Sequence, residues 1–323
     1  MILAGDIGGT KTVLALYEKG SDSTETCVQE QAFSSHEFKD FDDVLDNFLP
    51  PHIKLTSACF GIAGPVVDQR CQMTNLSWLL DGEKLKIKLG TEKIRLLNDL
   101  EAMAVGMLHL PEQDLVELNP NAVPQTGNIA VIAAGTGLGE AILYWDERQH
   151  HPMATEGGHC DFAPQNDQQD QLLVYLRKLY PDHVSCERVI AGMGFGHLYD
   201  FLCAQGFAPP CPDVPERNSA IDRNAVISRL GVSGEDPLCR EVVRMYVEIY
   251  GAEAGNLALK SLALGGVYIG GGIAPKILPA LVTGAFLQAF TAKGRYLNLL
   301  DKVSVKLSLN QRTPLIGAIK YFG

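Results

Sequence analysis

Apolar and polar positions along this chain set out a run of strands and helices that begins twice in the same way. Ile2-Leu3-Ala4 reads as an apolar strand that stops at Gly5-Asp6. After a glycine-rich turn, residues 13–17 read as a second strand, so the chain opens on a hairpin with a polar tip. An extended stretch near residues 27–33 precedes an amphipathic helix, Phe41–Phe48, and a buried strand, Ser57–Ile62. Residues 94–97 then run as a strand into Asn98-Asp99, from which a helical pattern over 100–108 departs. After the Pro/Asn/Gly-rich stretch 120–128 the opening repeats: Ile129–Ala134 reads as a strand, 135–139 as a glycine turn carrying a threonine, and 141–145 as the returning strand.

The two openings, AGDIGGTKTVLALY and AAGTGLGEAILYW, point to a duplicated α/β domain pair with a cleft between, the kind of place where ligands sit. The second half is richer in helix, with helical spacing over 167–180, 194–205 and 235–260 and a looser Pro-rich stretch at 209–215. A buried strand then ends in Gly270-Gly271-Gly272. A strand at 303–309 and a helix at 314–321 close the chain.

At 323 residues the chain exceeds the usual size of one hydrophobic core, which agrees with two domains. Apolar residues at 46% and charged residues at 20% describe an ordinary globule. With 27 basic and 38 acidic residues the net charge is −11, which disfavours nucleic acid and anionic membranes as partners. A phosphate held locally by backbone amides remains compatible with that sign. The eight cysteines show no C-x-x-C spacing, the start lacks a secretory pattern, and the longest charge-free run, 118–139, is broken by polar residues. The expectation is reduced thiols, the cytosol and no membrane span.

The turn Gly5-Asp6-Ile7-Gly8-Gly9-Thr10 supplies successive amides that can reach phosphate oxygens, with a carboxylate to orient metal-bound water and a hydroxyl to donate to a phosphoryl group. A plain hairpin turn is the alternative. A P-loop is excluded because Thr10 replaces its second glycine and a strand, not a helix, follows. Gly135 to Gly139 fails the dinucleotide fingerprint in its last spacing and again leads into a strand.

Taken in order, DIGGTK, LLNDL, AAGTGLG, EGGHCDFAP, SCERV and VYIGGGIAPK resemble the motifs of bacterial glucokinases, over nearly the whole chain. The resemblance implies an α/β, two-domain actin-like ATPase (ribonuclease H-like) fold with an interdomain cleft. The small domain would be 1–110, completed by the C-terminal helix 311–323, and the large one 111–310. The implied reaction is ATP-dependent phosphorylation of D-glucose at its 6-hydroxyl, with a kinase for another neutral hexose or a sugar-sensing protein as alternatives. Glucose and ATP are the implied partners, with Mg²⁺ carried on ATP and oriented through water by Asp6. Members of this family are often dimers, so a homodimer is also implied.

Residue by residue, the resemblance puts the catalytic base at Asp99 and sugar contacts at Asn98, Glu156, His159 and Glu187. A carboxylate beside a primary alcohol aims it and accepts its proton, and a ring covered in hydroxyls needs fixed donors and acceptors. Read without the resemblance, Asn98-Asp99 is a helix cap, His159 a core histidine or, beside Cys160, a metal ligand, and Glu187 a surface charge paired with Arg188. Gly135, Thr136 and Gly137 resemble a second phosphate loop, and Gly271 lies in the loop packed under adenosine; the plain readings are a hairpin turn and a tight strand-to-helix turn. Gly61 to Pro65 and Thr74 to Trp78 resemble segments on the sugar side. The run after His159-Cys160 lacks the closely spaced cysteines of zinc-binding relatives, and the first strand starts at residue 2, so neither a structural zinc nor a DNA-binding arm is expected.

Overall fold

A computed structural model describes residues 1–20, 25–73 and 75–322. The chain divides into two compact units, Met1–Glu112 with Asn310–Gly323, and Gln113–Leu309.

In the first unit, β1 (Ile2–Ile7), β2 (Lys11–Lys19), β3 (Glu25–Ser34), β4 (Ser57–Ile62) and β7 (Ile94–Asn98) form a sheet in the order β3-β2-β1-β4-β7. The meander β1-β2-β3 is antiparallel and β4 and β7 join parallel to β1. One face packs on α1 (Phe41–Phe48), whose Phe41, Val44, Leu45 and Phe48 are buried. The helix starts where the Asp40 side chain accepts the Asp43 N–H, the capping that its sequence supplies. The other face is covered by α3 (Asp99–Met107) and the C-terminal helix Thr313–Lys320. Those two helices meet backbone to backbone: a Cβ at Gly106 would lie 2.0 Å from the Thr313 carbonyl oxygen, and one at Gly317 would lie 1.7 Å from that of Ala102.

The second unit repeats the plan. Strands β9 (Ile129–Ala134), β10 (Leu138–Trp145), β11 (His150–Ala154), β12 (Gly266–Gly270) and β13 (Val305–Ser308) lie in the order β11-β10-β9-β12-β13, again an antiparallel meander joined by parallel strands, with β8 (Leu115–Glu117) added at the edge. Around this sheet lie α4 (Asp167–Leu179), α5 (Glu187–Ile190), α6 (Gly192–Ala204), α7 (Arg223–Ser233), α8 (Pro237–Ser261), α9 (Leu278–Leu281), α10 (Ala285–Thr291) and α11 (Leu297–Leu300). α8 is almost wholly core, with Tyr246 and Tyr250 fully buried.

Several elements lack a clear pattern in the sequence. β5 (Arg70–Gln72) and β6 (Leu79–Asp81) form a short ribbon, and α2 (Gly82–Leu89) starts where the Asp81 carboxylate accepts two backbone N–H groups. The acidic region 112–117 holds the edge strand β8, which pairs with β13 while Glu117 accepts the Val305 N–H. The 209–215 loop is pinned by the Cys211 N–H donating to the Tyr199 hydroxyl and by Arg223 donating to the Pro215 carbonyl. Among the described residues no helix is long and apolar enough to cross a membrane.

Candidate active site

In the first unit the tip between β1 and β2 is tight. The Gly8 N–H donates to the Lys11 carbonyl, and the Ser35 N–H to that of Thr10. The Ser35 hydroxyl donates to the Gly8 carbonyl at 2.8 Å and lies 3.0 Å from the Thr12 hydroxyl. Thr10 is exposed and Gly8 and Gly9 are half-buried, so this part of the turn can meet a ligand. Gly5 and Ile7 stand differently. Both are buried strand residues, and the missing side chain of Gly5 leaves room for the Phe60 ring and Leu14, which a Cβ would approach to 2.7 and 2.9 Å. The need for glycine at 5 is thus a packing need. Burial raises the proton affinity of the Asp6 carboxyl, with Lys11 opposing it.

Asn98 and Asp99 end β7 and open α3. Asn98 caps the helix in both directions: its side chain accepts the Glu101 N–H at 2.6 Å and Glu101 accepts the Asn98 N–H at 3.0 Å. One Asp99 carboxylate oxygen accepts the Leu100 N–H at 3.0 Å. The plain reading of this pair as a cap is therefore correct for Asn98, and it leaves the chemistry of Asp99 untouched. The register pairs Asp6 with Gly61 and Gly61 with Leu97, so Asp6 and Asp99 share one edge of the sheet, at the C-terminal ends of parallel strands. Two strand spacings, about 10 Å, separate the strands that lead to them, and Asp99 lies two residues further along that edge than Leu97. That edge is where open α/β sheets bind ligands. Of the 74–78 segment, Thr74 lies outside the described residues. Asn75 sits over Gly9, where a Cβ would come within 3.1 Å of it, and Trp78 is core, its indole N–H donating to the Phe38 carbonyl. The Trp78 ring is thus committed to packing.

In the second unit, Gly135, Thr136 and Gly137 form the tip between β9 and β10. The Gly135 N–H donates to the Gly137 carbonyl, and the Gly192 N–H, at the start of α6, donates to the Gly135 carbonyl. Glu187 braces this tip: its carboxylate accepts the Leu138 N–H at 3.0 Å, and a Cβ on Gly137 would lie 2.6 Å from it. Arg188 stacks over the Tyr180 ring at 4.2 Å. Glu156 and His159 flank a short turn, with the His159 N–H donating to the Glu156 carbonyl and their side chains 4.0 Å apart, both exposed. The Cys186 N–H donates to the Cys160 carbonyl and the Phe162 N–H to that of Val184, so the segment after His159 is paired with the one before Glu187. The structure thus brings Glu156, His159, Glu187 and the 135–137 turn together. His159 is an exposed histidine rather than a core one.

Gly271 has φ +83°, and a Cβ there would lie 2.2 Å from the Ala134 carbonyl oxygen. Glycine is required at 271 by handedness and by close packing on the end of β9. Beyond the glycine run and Gly192 lies a cavity of about 560 Å³, with Phe195, Asn224, Ser228, Arg229, Ile273 and Lys276 in its wall. The α7 contribution gave no sequence signal, because nothing in the local pattern of 223–233 distinguishes a pocket wall from an ordinary surface helix.

These features define an actin-like α/β fold with a glycine turn at the same place in each of its two main sheets. The family model described as glucokinase matches residues 3–322. A glucokinase of Nostoc sp. is 41% identical over 98% of this chain and 97% of its own length, and one of Yersinia pestis is 35% identical over 99% and 95%. The solved glucokinase from an Antarctic psychrotroph superposes with a TM-score of 0.85 at 32% identity, covering 98% of this chain and 97% of the other. This chain belongs to the glucokinase family. A glucokinase from Streptomyces griseus solved with glucose and AMPPNP shares the fold, at a TM-score of 0.61 and 17% identity.

Proposed function

We infer that the chain catalyses ATP-dependent phosphorylation of D-glucose at the 6-hydroxyl. The observation that carries this reading is the pairing of family membership across residues 3–322 with an Asp99 carboxylate at the same sheet edge as the Asp6 turn. Asp99 accepts the proton of the 6-hydroxyl as the oxygen attacks the γ-phosphorus in line. The Leu100 N–H, donating to one carboxylate oxygen, fixes the direction of attack. Asn98, Glu156, His159 and Glu187 accept from and donate to the ring hydroxyls, so a wrong epimer leaves a polar group unpaired at a cost of about 1–3 kcal/mol. The amides at Gly9 and Thr10 and those at Thr136 and Gly137 donate to phosphate oxygens, in turns that the Gly8 and Gly135 amides close by bonding to the Lys11 and Gly137 carbonyls, and the 560 Å³ cavity past Gly271 takes the adenosine.

The carboxylate of Asp6 and the hydroxyl of Thr10 are hard oxygen donors, which suits Mg²⁺ held through water. Bound there with ATP, Mg²⁺ neutralises charge on the phosphates. The same reading takes the cytosol as the compartment, a homodimer as the assembly, and no structural zinc. Elemental analysis decides the last point, with Cys211, Asp236 and Cys239, whose ligand atoms lie within 4.8 Å of one another, as the group to watch. The deciding experiment is ADP release with Mg²⁺·ATP and each of glucose, mannose and fructose. Turnover with glucose well above the others supports the reading, and equal or better turnover with another hexose refutes the substrate.

A further inference from the structure

Beneath the sugar turn lies a group of side chains that the reaction as described does not use. Glu140, on β10, is 1% exposed, and its Oε1 has no hydrogen-bond partner. Its Oε2 packs against Gly157 so closely that a Cβ there would lie 2.1 Å away. Residue 157, between Glu156 and His159, is glycine because Glu140 fills the space its side chain would need. The Glu140 backbone carbonyl accepts the Thr155 hydroxyl at 2.8 Å, and that hydroxyl oxygen accepts the Gly157 N–H at 3.2 Å. On α8, Glu253 is 4% exposed; it accepts from the Cys186 thiol at 3.4 Å, the Asn256 amide at 2.9 Å and the Lys260 ammonium at 3.3 Å. Cys186 immediately precedes Glu187. One residue of this cluster therefore touches the turn carrying Glu156 and His159, and another touches the start of the helix carrying Glu187.

Taking Glu156, His159 and Glu187 as the sugar contacts, as proposed above, we propose that Glu140 is their positioning residue. Its buried carboxyl sets the Glu156–His159 turn through Gly157 and, with Glu253 and Cys186, the seat of Glu187. The charge arithmetic of the cluster supports more than a passive role. Two buried carboxyls face Lys260 as their ammonium partner, since the Lys293 ammonium donates to Asn256. The Tyr250 hydroxyl and Cys186 thiol also face the pocket, both pushed up by burial, and the Cys160 thiol lies near Lys260. Burial first, and repulsion from Glu253 second, push Glu140 up to about 7 against the pull of Lys260. Below that pH the carboxyl is neutral and needs no counter-ion. Above it, an uncompensated negative charge sits under a site that already presents two glutamates, and the turn must shift to solvate it.

The test is glucose KM, ATP KM and kcat from pH 5.5 to 8.5 for the wild type, Glu140→Gln and Glu140→Ala, with thermal melts to confirm folding. The site also contains a histidine, so the wild-type profile is read only against that of Glu140→Gln, which keeps shape and stays neutral. If only the neutral form binds well, wild-type glucose KM rises about tenfold relative to Glu140→Gln for one pH unit above the transition. ATP KM moves less than glucose KM, through Glu187, kcat stays within about twofold, and Glu140→Ala raises glucose KM at every pH. Identical KM profiles for the wild type and Glu140→Gln would overturn the proposal, as would a Glu140→Gln effect confined to kcat. If the wild type phosphorylates no hexose, the functional reading fails on its own. Calorimetric glucose affinity across the same pH range then decides the role of Glu140, by the same comparison of profiles.

Discussion

At the tip between β1 and β2 the brace is a hydroxyl: Ser35 reaches across from the end of β3 to the Gly8 carbonyl and the Thr12 side chain. At the equivalent tip between β9 and β10 the brace is a carboxylate, Glu187, which accepts the Leu138 N–H and presses on Gly137. The two turns share strand order, glycines and a threonine, yet the first is tied to a neutral group with no further duty, and the second to a proposed sugar contact. Glycine content tells a reader that backbone can reach a phosphate. What holds the turn from behind decides whether phosphate and sugar feel each other. On the proposed reading, the first unit contributes chemistry through Asp99, while the second contributes the coupling between the two substrates.

The largest effect belongs to the first unit. Asp99→Asn keeps the Leu100 hydrogen bond and the shape of the side chain but cannot accept the proton. Turnover should fall by about 10²–10⁴ while glucose affinity changes by less than about threefold. Rapid-quench turnover with calorimetric glucose binding checks both halves. Near-normal turnover would remove Asp99 as base and move the chemistry out of the first unit.

The pattern of apolar residues was enough to place both hairpins, the strand leading to Asn98-Asp99 and the helices Phe41–Phe48 and 167–180, because those segments bury one face and carry their own caps. It missed α2 and α7. The apolar residues of these helices do not gather into one clean stripe, and the caps that start them, Asp81 and Asp222, sit in stretches that read as loop. Of the proposed site, the motif glycines were legible as glycines but not as to purpose. Gly5 and Gly271 are set by packing on Phe60 and Ala134, partners 55 and 137 positions away in sequence that no local pattern reveals. Glu140 was invisible for the same reason: it falls between the glycine turn 135–139 and the apolar run 141–145, and its importance arises only where Gly157 and α8 meet it.

Charge behind the second turn carries a cost that the Ser35 hydroxyl brace does not. The folded-state pKa of Glu140, about 7, lies above its ordinary 4.5. The folded protein therefore holds this proton more tightly than the unfolded chain. That contribution to stability is fully present below about pH 4.5 and is lost as pH rises to 7, after which it is level. Melting followed by circular dichroism should show the wild type losing on the order of 10 °C relative to Glu140→Gln across that interval, since the rise from 4.5 to about 7 corresponds to about 3 kcal/mol and a unit of this size shifts ~2–4 °C per kcal/mol. Parallel melting curves for the two proteins would mean that the carboxyl is paired or hydrated.

Next in size is the direct contrast between the turns. Gly137→Ala drives a methyl group into the Glu187 carboxylate, so glucose KM and ATP KM should rise together, each about tenfold. Gly9→Ala meets Asn75, at 3.1 Å, a flexible side chain that can give way, so ATP KM should rise a fewfold and glucose KM by less. Steady-state kinetics with each substrate varied in turn separates them. A Gly137→Ala protein altered toward ATP alone would break the claim that the second turn couples the substrates.

The smallest effect tests the neutral brace itself. Ser35→Ala removes the donor to Gly8 and the partner of Thr12, both within a part of the unit where Ser35 and Thr12 are fully buried. Losing such a pair costs about 1–2 kcal/mol, and the Thr12 hydroxyl is left to find another acceptor. Because the brace carries no charge and touches no proposed sugar contact, the loss should appear as a lower melting temperature and an ATP KM raised about two- to threefold. It should not depend on pH between 5.5 and 8.5, and glucose KM should hold. A change in glucose KM of the same size as that in ATP KM would show that the first turn, too, transmits between the substrates. The distinction between hydroxyl and carboxylate braces would then fail.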